Sequence, residues 1–286
     1  MKIGFIGPGR MGRPMLERLA AAGHDVTVLI RGSSPRAFAE TVEAAEPAGV
    51  ARAATVAATV RDADAVFVVV LTDDQVRSVC LGPDGAIEAM RPGATLVQHT
   101  TCDPATLQLL DAAGAERGVG VLDAAVSGGP HDIAAGTLTL WVGGDEAVLE
   151  RMRPVLDTYA SPVMSVGPVG NGQRVKLVNN ALFVAQVGLA VDAVRLAGSL
   201  GIDEKVILAA VQHGSGASRA LGIVGRGDSV DAVAHRLSGL MLKDISVVRE
   251  VARRSGADLG IIGTVLSSAA VEKKVLHPAD PAEHAS

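Results

Sequence analysis

Three glycines spaced G-x-G-x-x-G, Gly7, Gly9 and Gly12, follow directly on the apolar run Lys2–Ile6 and open an amphipathic stretch over residues 11–22. A β-branched run, a glycine turn and a helix in that order are the sequence signature of a Rossmann βαβ unit. Gly7 permits the tight turn, Gly9 lets backbone approach a pyrophosphate, and Gly12 lets helix and strand pack closely. Pro8, Arg10 and Met11 fill the positions between them, so the loop from Gly7 to Gly12 as a whole is the expected cofactor cradle. The N–H groups of the helix's first turn then face the phosphates. Met11, Met15, Leu16 and Leu19 share one helix face, and Gly23 supplies the stop. Outside a βαβ context the same glycines would read as a plain turn.

The rest of the first half keeps this rhythm. Residues 26–30, 65–71, 95–100, 119–123 and 137–142 read as strands, and residues 35–46 as a helix. Such alternation predicts an open parallel sheet with helices on both faces. After about Val166 the strand signals end. Residues 171–200 then read as one long helix, followed by helices over 203–213, Val230–Ser255 and 258–274. The expected fold class is α/β, a doubly wound Rossmann sheet over residues 1–166 followed by an all-α substrate and dimerisation domain over 167–286. The tail from His277 onward is expected to fray.

Composition excludes several classes. Hydrophobic residues make up 48% and charged residues 20%, which supports a packed core and argues against global disorder. A net charge of -5 without a basic run argues against nucleic acid as a partner. Two cysteines, Cys80 and Cys102, are too few for a disulfide framework or a cysteine zinc site, and the histidines show no metal-ligand spacing. No metal is expected. The apolar N-terminal run and residues 64–71 are too short to cross a bilayer, so the expectation is a cytoplasmic protein without a membrane partner.

Cofactor choice turns on the end of the second strand. NAD binders usually place an acid there for the ribose hydroxyls. This chain has Leu29-Ile30-Arg31-Gly32-Ser33-Ser34. Arg31 is placed to stack on adenine or pair with a 2′-phosphate, with Ser33 and Arg36 as possible assistants. NADP is therefore expected in preference to NAD. The plainer reading of Arg31 is a solvated charge after a strand.

Four segments in order now carry a family resemblance: residues 4–12 continuing to Ala22-Gly23-His24; Asp123-Ala124-Ala125-Val126-Ser127-Gly128-Gly129 with Gly136-Thr137-Leu138; residues 170–180; and Lys243-Asp244-Ile245. The chain resembles the β-hydroxyacid dehydrogenases, which include 3-hydroxyisobutyrate dehydrogenases and tartronate semialdehyde reductases, and more distantly 6-phosphogluconate dehydrogenase. Lys176 and Asn180 are four residues apart, so they share one face of the long helix. An ammonium and an amide so placed can hold one substrate oxygen, and partial burial lowers a lysine pKa toward catalytic range. Without the resemblance, a solvated helix lysine is the ordinary reading. The resemblance implies that Lys176 is the general acid/base and that Asn180 orients the substrate. It further implies that Ser127, Gly128 and Gly129 bind the substrate carboxylate, and that Leu71, Thr101 and Lys243 contact the dinucleotide.

Weaker candidates are Asp244 as an orienting group, Ser215 and Ser218 on the substrate side, and His131 as a solvated loop residue. Trp141 reads as core packing. Two departures from the family pattern bear on the substrate pocket: Pro130-His131-Asp132-Ile133 stands where small residues are usual, and the chain after Lys274 lacks the usual glycine-rich acidic close. The implied reaction is reversible oxidation of a small β-hydroxy acid to an oxo acid or semialdehyde, with the site in the cleft between domains and the chain a homodimer or higher homo-oligomer. The alternatives are an imine reductase of the same architecture, against which Lys176 counts, and a non-catalytic dinucleotide-binding protein.

Overall fold

The computed structural model describes residues 1–30, 50–227 and 229–277; the side chain of Leu240 is not described. Arg31, Ser33, Arg36 and the helix expected over 35–46 lie outside these residues. The chain divides into two compact units, Met1–Lys176 and Leu177–Ser286. The boundary falls inside a helix rather than in a linker.

The first unit is built on one eight-stranded sheet. Its strands are β1 (Lys2–Ile6), β2 (Asp25–Leu29), β3 (Val50–Ala53), β4 (Ala65–Val68), β5 (Thr95–Gln98), β6 (Gly120–Ser127), β7 (Leu138–Gly143) and β8 (Ala160–Ser165), in the spatial order β3-β2-β1-β4-β5-β6-β7-β8. From β3 to β6 every neighbour is parallel. The expected open parallel sheet holds from β3 to β6, and one pair departs from it: β7 runs antiparallel to β6. Residues 128–137 between them are too few for a parallel crossover, which takes a dozen or more. β8 then runs parallel to β7.

Alternate residues of the central strands feed two cores, one on each face of the sheet. Ile3, Phe5, Phe67, Val97 and Leu122 point to one; Ile6, Val66, Val68, Leu96 and Val121 point to the other. Few aromatics are available, and four rings form a column within the first core. Phe5 stacks on its register partner Phe67 with centroids 6.2 Å apart, Phe67 lies 5.9 Å from His99, and His99 meets Tyr159 edge-on at 5.8 Å. His99 is wholly buried. Its Nδ1 bonds the Ala124 carbonyl at 2.6 Å, and Nε2 lies 2.9 Å from the Tyr159 hydroxyl. Burial holds the imidazole pKa down to about 4, so the ring is neutral. A neutral ring with Nδ1–H donating leaves Nε2 to accept from Tyr159.

The helices of this unit are α1 (Gly12–Ala21), α2 (Val56–Val60), α3 (Asp73–Cys80), α4 (Ala86–Ala89), α5 (Pro104–Arg117), α6 (Pro130–Ala135) and α7 (Glu146–Leu156). Their starts follow local chemistry. Thr72 and Gln75 form a capping box on α3, while Asp103 caps α5 with Pro104 as its first residue.

Helix α8 (Asn171–Ser199) begins in the first unit and continues into the second. The second unit adds α9 (Glu204–Val211), α10 (Arg219–Val224), α11 (Val230–Ser255), α12 (Gly260–Leu266) and a closing π-helical segment (Ala270–Leu276). The single helix expected over 258–274 is thus broken between α12 and the π-helical segment. The core of this unit gathers Leu177, Val184, Val187, Val191, Val233, Ile245 and Val271. Gly188 matters here: a Cβ on it would meet the Val271 side chain at 2.3 Å, so glycine sets the close approach of α8 to the final segment.

Candidate active site

The sequence-predicted residues of the first unit's loops follow the carboxyl ends of β1, β4, β5 and β6, and from the paired strands β1 and β4 the chain leaves toward opposite edges of the sheet. This is the switch point at which open α/β sheets bind ligands. The three glycines after β1 play three distinct parts. Gly7 adopts φ +92°, and a Cβ there would meet the Val69 carbonyl at 2.3 Å. Gly12 packs helix on turn, with a Cβ 2.2 Å from the Gly7 carbonyl. Gly9 faces open space. Its missing side chain therefore serves nothing inside the protein and leaves the backbone approachable from outside. No side chain caps α1, and its first turn carries no acid. An open glycine and an uncapped helix start without a competing carboxylate fit a dinucleotide pyrophosphate.

The ends of β4 and β5 are tied together. The Thr100 hydroxyl accepts from the Val70 N–H at 3.0 Å and donates to its carbonyl at 3.1 Å. Leu71, 61% exposed, is a large apolar side chain held out at the end of β4, with its N–H on the Gln75 side chain at 2.8 Å. Thr101 is half-buried just beyond β5.

β6 runs on past the end of β5. Its register places Asp123 beside Gln98, the last residue of β5, and four further residues carry it to Ser127. Gly128 follows at φ +132°, where a Cβ would strike the Asp132 carboxylate at 2.7 Å. Asp132 also accepts the Gly129 N–H at 2.7 Å. One of the three residues expected to serve a substrate carboxylate, Gly129, thus has its N–H held within the loop by an acid of the departing segment, leaving Ser127 and Gly128 less encumbered.

Asp123 is the only fully buried acid among the described residues. Its Oδ2 accepts the Gln173 backbone N–H and its Oδ1 accepts Gln173 Nε2, each at 2.9 Å. Gln173 Oε1 in turn accepts the Cys102 N–H at 3.0 Å. The first turn of α8 is therefore pinned to the sheet by a carboxylate at its N-terminus. Gly172 makes the fit possible: a Cβ would meet the carbonyls of Asp123 and Trp141 at 2.4 and 2.7 Å. Burial raises the Asp123 carboxyl to about 6, against the lowering effect of the hydrogen bonds from Gln173, Gly170 and Gly172. Lys176 follows one turn later, half-buried.

In the second unit Asn180 is buried. It donates from Nδ2 to Asp244 Oδ2 at 2.6 Å, and its Oδ1 accepts from Asn179 at 3.1 Å. Lys243 Nζ stands 3.4 Å from Asp244 Oδ1, an ion pair without hydrogen-bond alignment. The Asn180 carboxamide and the Lys243 ammonium are thus both oriented by Asp244.

Two family models match the chain: the NAD-binding domain of 6-phosphogluconate dehydrogenase over residues 2–167, and the NAD-binding domain of NADP-dependent 3-hydroxyisobutyrate dehydrogenase over residues 170–281. The chain belongs to the 3-hydroxyisobutyrate dehydrogenase-type, NAD(P)-dependent hydroxyacid dehydrogenases. Among its relatives, an NAD-dependent L-serine dehydrogenase from Pseudomonas aeruginosa is 33% identical over 93% of this chain and 90% of that one. A 2-hydroxy-3-oxopropionate reductase from Escherichia coli is 34% identical over 79% of this chain and 75% of its own. The solved 3-hydroxyisobutyrate dehydrogenase of Mycobacterium tuberculosis with L-serine superposes at TM-score 0.79, with 28% identity over 92% of this chain and 90% of that one. An imine reductase from Streptomyces aurantiacus, at 21% identity and TM-score 0.65 over 93% of this chain and 92% of that one, shares the fold.

Several lesser candidates of this dehydrogenase have structural jobs. Ser218 caps α10 through the Leu221 N–H at 3.0 Å. His131 sits in the first turn of α6 rather than in a loop, exposed, with Nε2 3.3 Å from Asp132. Trp141 is only half-buried, whereas Phe5, Phe67 and Tyr159 are sealed in the core. Among the described residues no group of His, Cys, Asp and Glu is arranged for a metal. Asp123, Gln173 and His99 are the polar residues that sequence reasoning passed over. The first two lie inside the segments that carry the family pattern, but no spacing signal pairs them.

Proposed function

We propose that this dehydrogenase interconverts a small β-hydroxy acid with its oxo acid or semialdehyde, with Lys176 as general acid/base. The observation that carries the reading is the placement of Lys176: half-buried, in the turn after an anchored helix start, and one turn before the oriented carboxamide of Asn180. The names of the relatives agree. L-serine, 2-hydroxy-3-oxopropionate, 2-(hydroxymethyl)glutarate and 3-hydroxyisobutyrate each pair a carboxylate with an oxygen-bearing carbon beyond the α-carbon.

A bound nicotinamide supplies the hydride acceptor. The neutral Lys176 amine takes the hydroxyl proton as the carbinol carbon gives up hydride, and in reduction the ammonium returns that proton to the carbonyl oxygen. Asn180 holds the same oxygen by its remaining N–H. Ser127 and the Gly128 N–H hold the substrate carboxylate. By the family resemblance Thr101 and Lys243 serve the nicotinamide end of the dinucleotide, Leu71 lines the dinucleotide, and the Gly7–Gly12 loop holds its pyrophosphate. NADP is the preferred cofactor, because no acid follows β2 and Arg31 stands in its place.

We further place the protein in the cytoplasm as a homo-oligomer. Helix α8 is apolar on two sides, with an 18-residue window of mean hydropathy 1.6. One side builds the second core; the other exposes Val178, Leu182, Leu189 and Leu196. The deciding experiment is a spectrophotometric screen of small hydroxy acids, semialdehydes and cyclic imines with NADP and NAD. Turnover of β-hydroxy acids that is abolished by Lys176→Ala, with dinucleotide affinity retained, is the expected result. Retained turnover in that variant refutes the mechanism.

A further inference from the structure

We infer that Asp123 is a positioning residue for catalysis: through Gln173 it fixes the first turn of α8, and with it the place of Lys176. The inference rests on the reading of Lys176 as the general acid/base. Asp123 lies in the middle of β6, not at its end, and does not reach out with the cofactor and carboxylate loops. A carboxylate with no access to solvent is costly unless its oxygens are filled. Here they are filled almost entirely from one short stretch of chain: the Gln173 backbone and side-chain nitrogens at 2.9 Å each, with the Gly170 and Gly172 N–H groups beside them.

An N-terminal helix turn is ordinarily held by a capping side chain of its own segment. In α8 the acceptor comes from 50 residues earlier in the chain, out of the sheet itself. The Gln173 side chain extends the clamp to the Cys102 N–H, and Gln98 Nε2 holds the Thr100 carbonyl nearby at 2.9 Å. Gly172 then lies flat on the β6 and β7 carbonyls, with no room for a Cβ. These contacts leave the start of α8 neither rotation nor sliding on the sheet. Lys176 is three residues beyond Gln173, too near for a helix to absorb an error in its own origin. Reaction geometry is unforgiving: a displacement of about 1 Å costs roughly 100-fold in rate.

The hydrogen-bond chemistry defines the test. In Asp123→Asn the new NH2 must oppose the Gln173 backbone N–H or, turned the other way, the donating Gln173 Nε2. Turning the Gln173 carboxamide over relieves the second clash but sets its NH2 against the Cys102 N–H. Either way one donor faces another. The double variant Asp123→Asn/Gln173→Glu removes the conflict, since the new carboxylate accepts from both the new amide and Cys102. Gln173→Met keeps side-chain length and drops both side-chain bonds.

The variants are compared with wild type and Lys176→Ala on a substrate found in the screen. Asp123→Asn and Gln173→Met are expected to lower kcat roughly 10- to 100-fold. The primary deuterium isotope effect on kcat should rise, while KM stays within about threefold and dinucleotide Kd within about twofold. The double variant should recover most of the lost kcat. Wild-type kcat in either folded single variant overturns the inference, as does a loss that appears in dinucleotide affinity instead of kcat. If neither single variant folds, Asp123 serves the stability of the first unit and the inference also falls. An active Lys176→Ala variant refutes the underlying mechanism; an inactive one beside an unimpaired Asp123→Asn refutes this inference alone.

Discussion

Asn180 donates its side-chain N–H to Asp244 at 2.6 Å, on a carboxylate whose other oxygen faces Lys243 at 3.4 Å. One acid thus sets the rotamer of an amide on α8 and steadies a lysine on its own helix, α11. A charge-assisted bond of this kind is about twice as strong as a neutral one. Asp244→Ala should lower kcat/KM roughly tenfold, an effect of about 1.4 kcal/mol on the transition state. Asp244→Asn keeps an acceptor for Asn180 and should lose less. Steady-state kinetics at fixed saturating cofactor measure both, and equal losses in the two variants would point to charge alone.

The proposed preference for NADP rests on Arg31 and is tested there. An arginine at a 2′-phosphate makes a charged fork that NAD cannot engage. Arg31→Ala should therefore weaken NADP binding at least tenfold and leave NAD within about twofold, read by fluorescence titration of each dinucleotide. Equal affinities in the unaltered protein, unchanged by the substitution, would remove Arg31 from the site.

Stability should carry an unusual pH signature. His99 is held near 4 against an ordinary 6.5, so its neutral form favours the fold above 6.5 and that contribution is lost as pH falls toward 4. Asp123 is raised to about 6 from 3.8, so its contribution is fully present below 3.8 and lost as pH rises through 6. Each is on the order of 3 kcal/mol. Between pH 4 and 6 the folded state lacks one proton at His99 and holds an extra one at Asp123, so the two slopes cancel. Urea melts of the wild type should show little contribution from this pair there. In Asp123→Asn only the His99 slope remains, and stability should climb with pH from 4 to 6.5. A flat profile in the variant would contradict the neutral His99.

The exposed stripe on α8 makes a prediction about assembly. Val178, Leu182, Leu189 and Leu196 are separated by four, seven and seven residues, which keeps them within one narrow strip of a helix. Leu189→Glu with Leu196→Lys should leave helicity unchanged and convert an oligomer to a monomer by light scattering. A wild-type chain that is already monomeric at micromolar concentration would refute the assembly.

How much of this was legible before folding depended on where burial lay. The interior strands β1, β4 and β5 and the long helices announced themselves because their apolar residues must be covered. The two strands that gave no signal, β3 and β8, are the edges of the sheet; β8 is mostly exposed and contains Pro162. The reversal of β7 was readable only from the length of residues 128–137. Gly7, Gly9 and Gly12 were legible because each answers a different local demand. Asp123 was not, because a lone acid in an apolar strand acquires meaning only from Gln173, and nothing in sequence spacing pairs them.

Helix α8 begins on the sheet and changes allegiance after Lys176. A fragment designed to end at residue 167, where both composition and homology suggest a seam, would strip the lid from Asp123, the buried carboxylate of β6. Such a fragment would lose the Gln173, Gly170 and Gly172 donors to Asp123 and should melt earlier than one extended through Lys176. A fragment carried through Lys176 keeps the Gln173, Gly170 and Gly172 donors on Asp123, so the helix start that Lys176 follows is part of what closes the β-sheet.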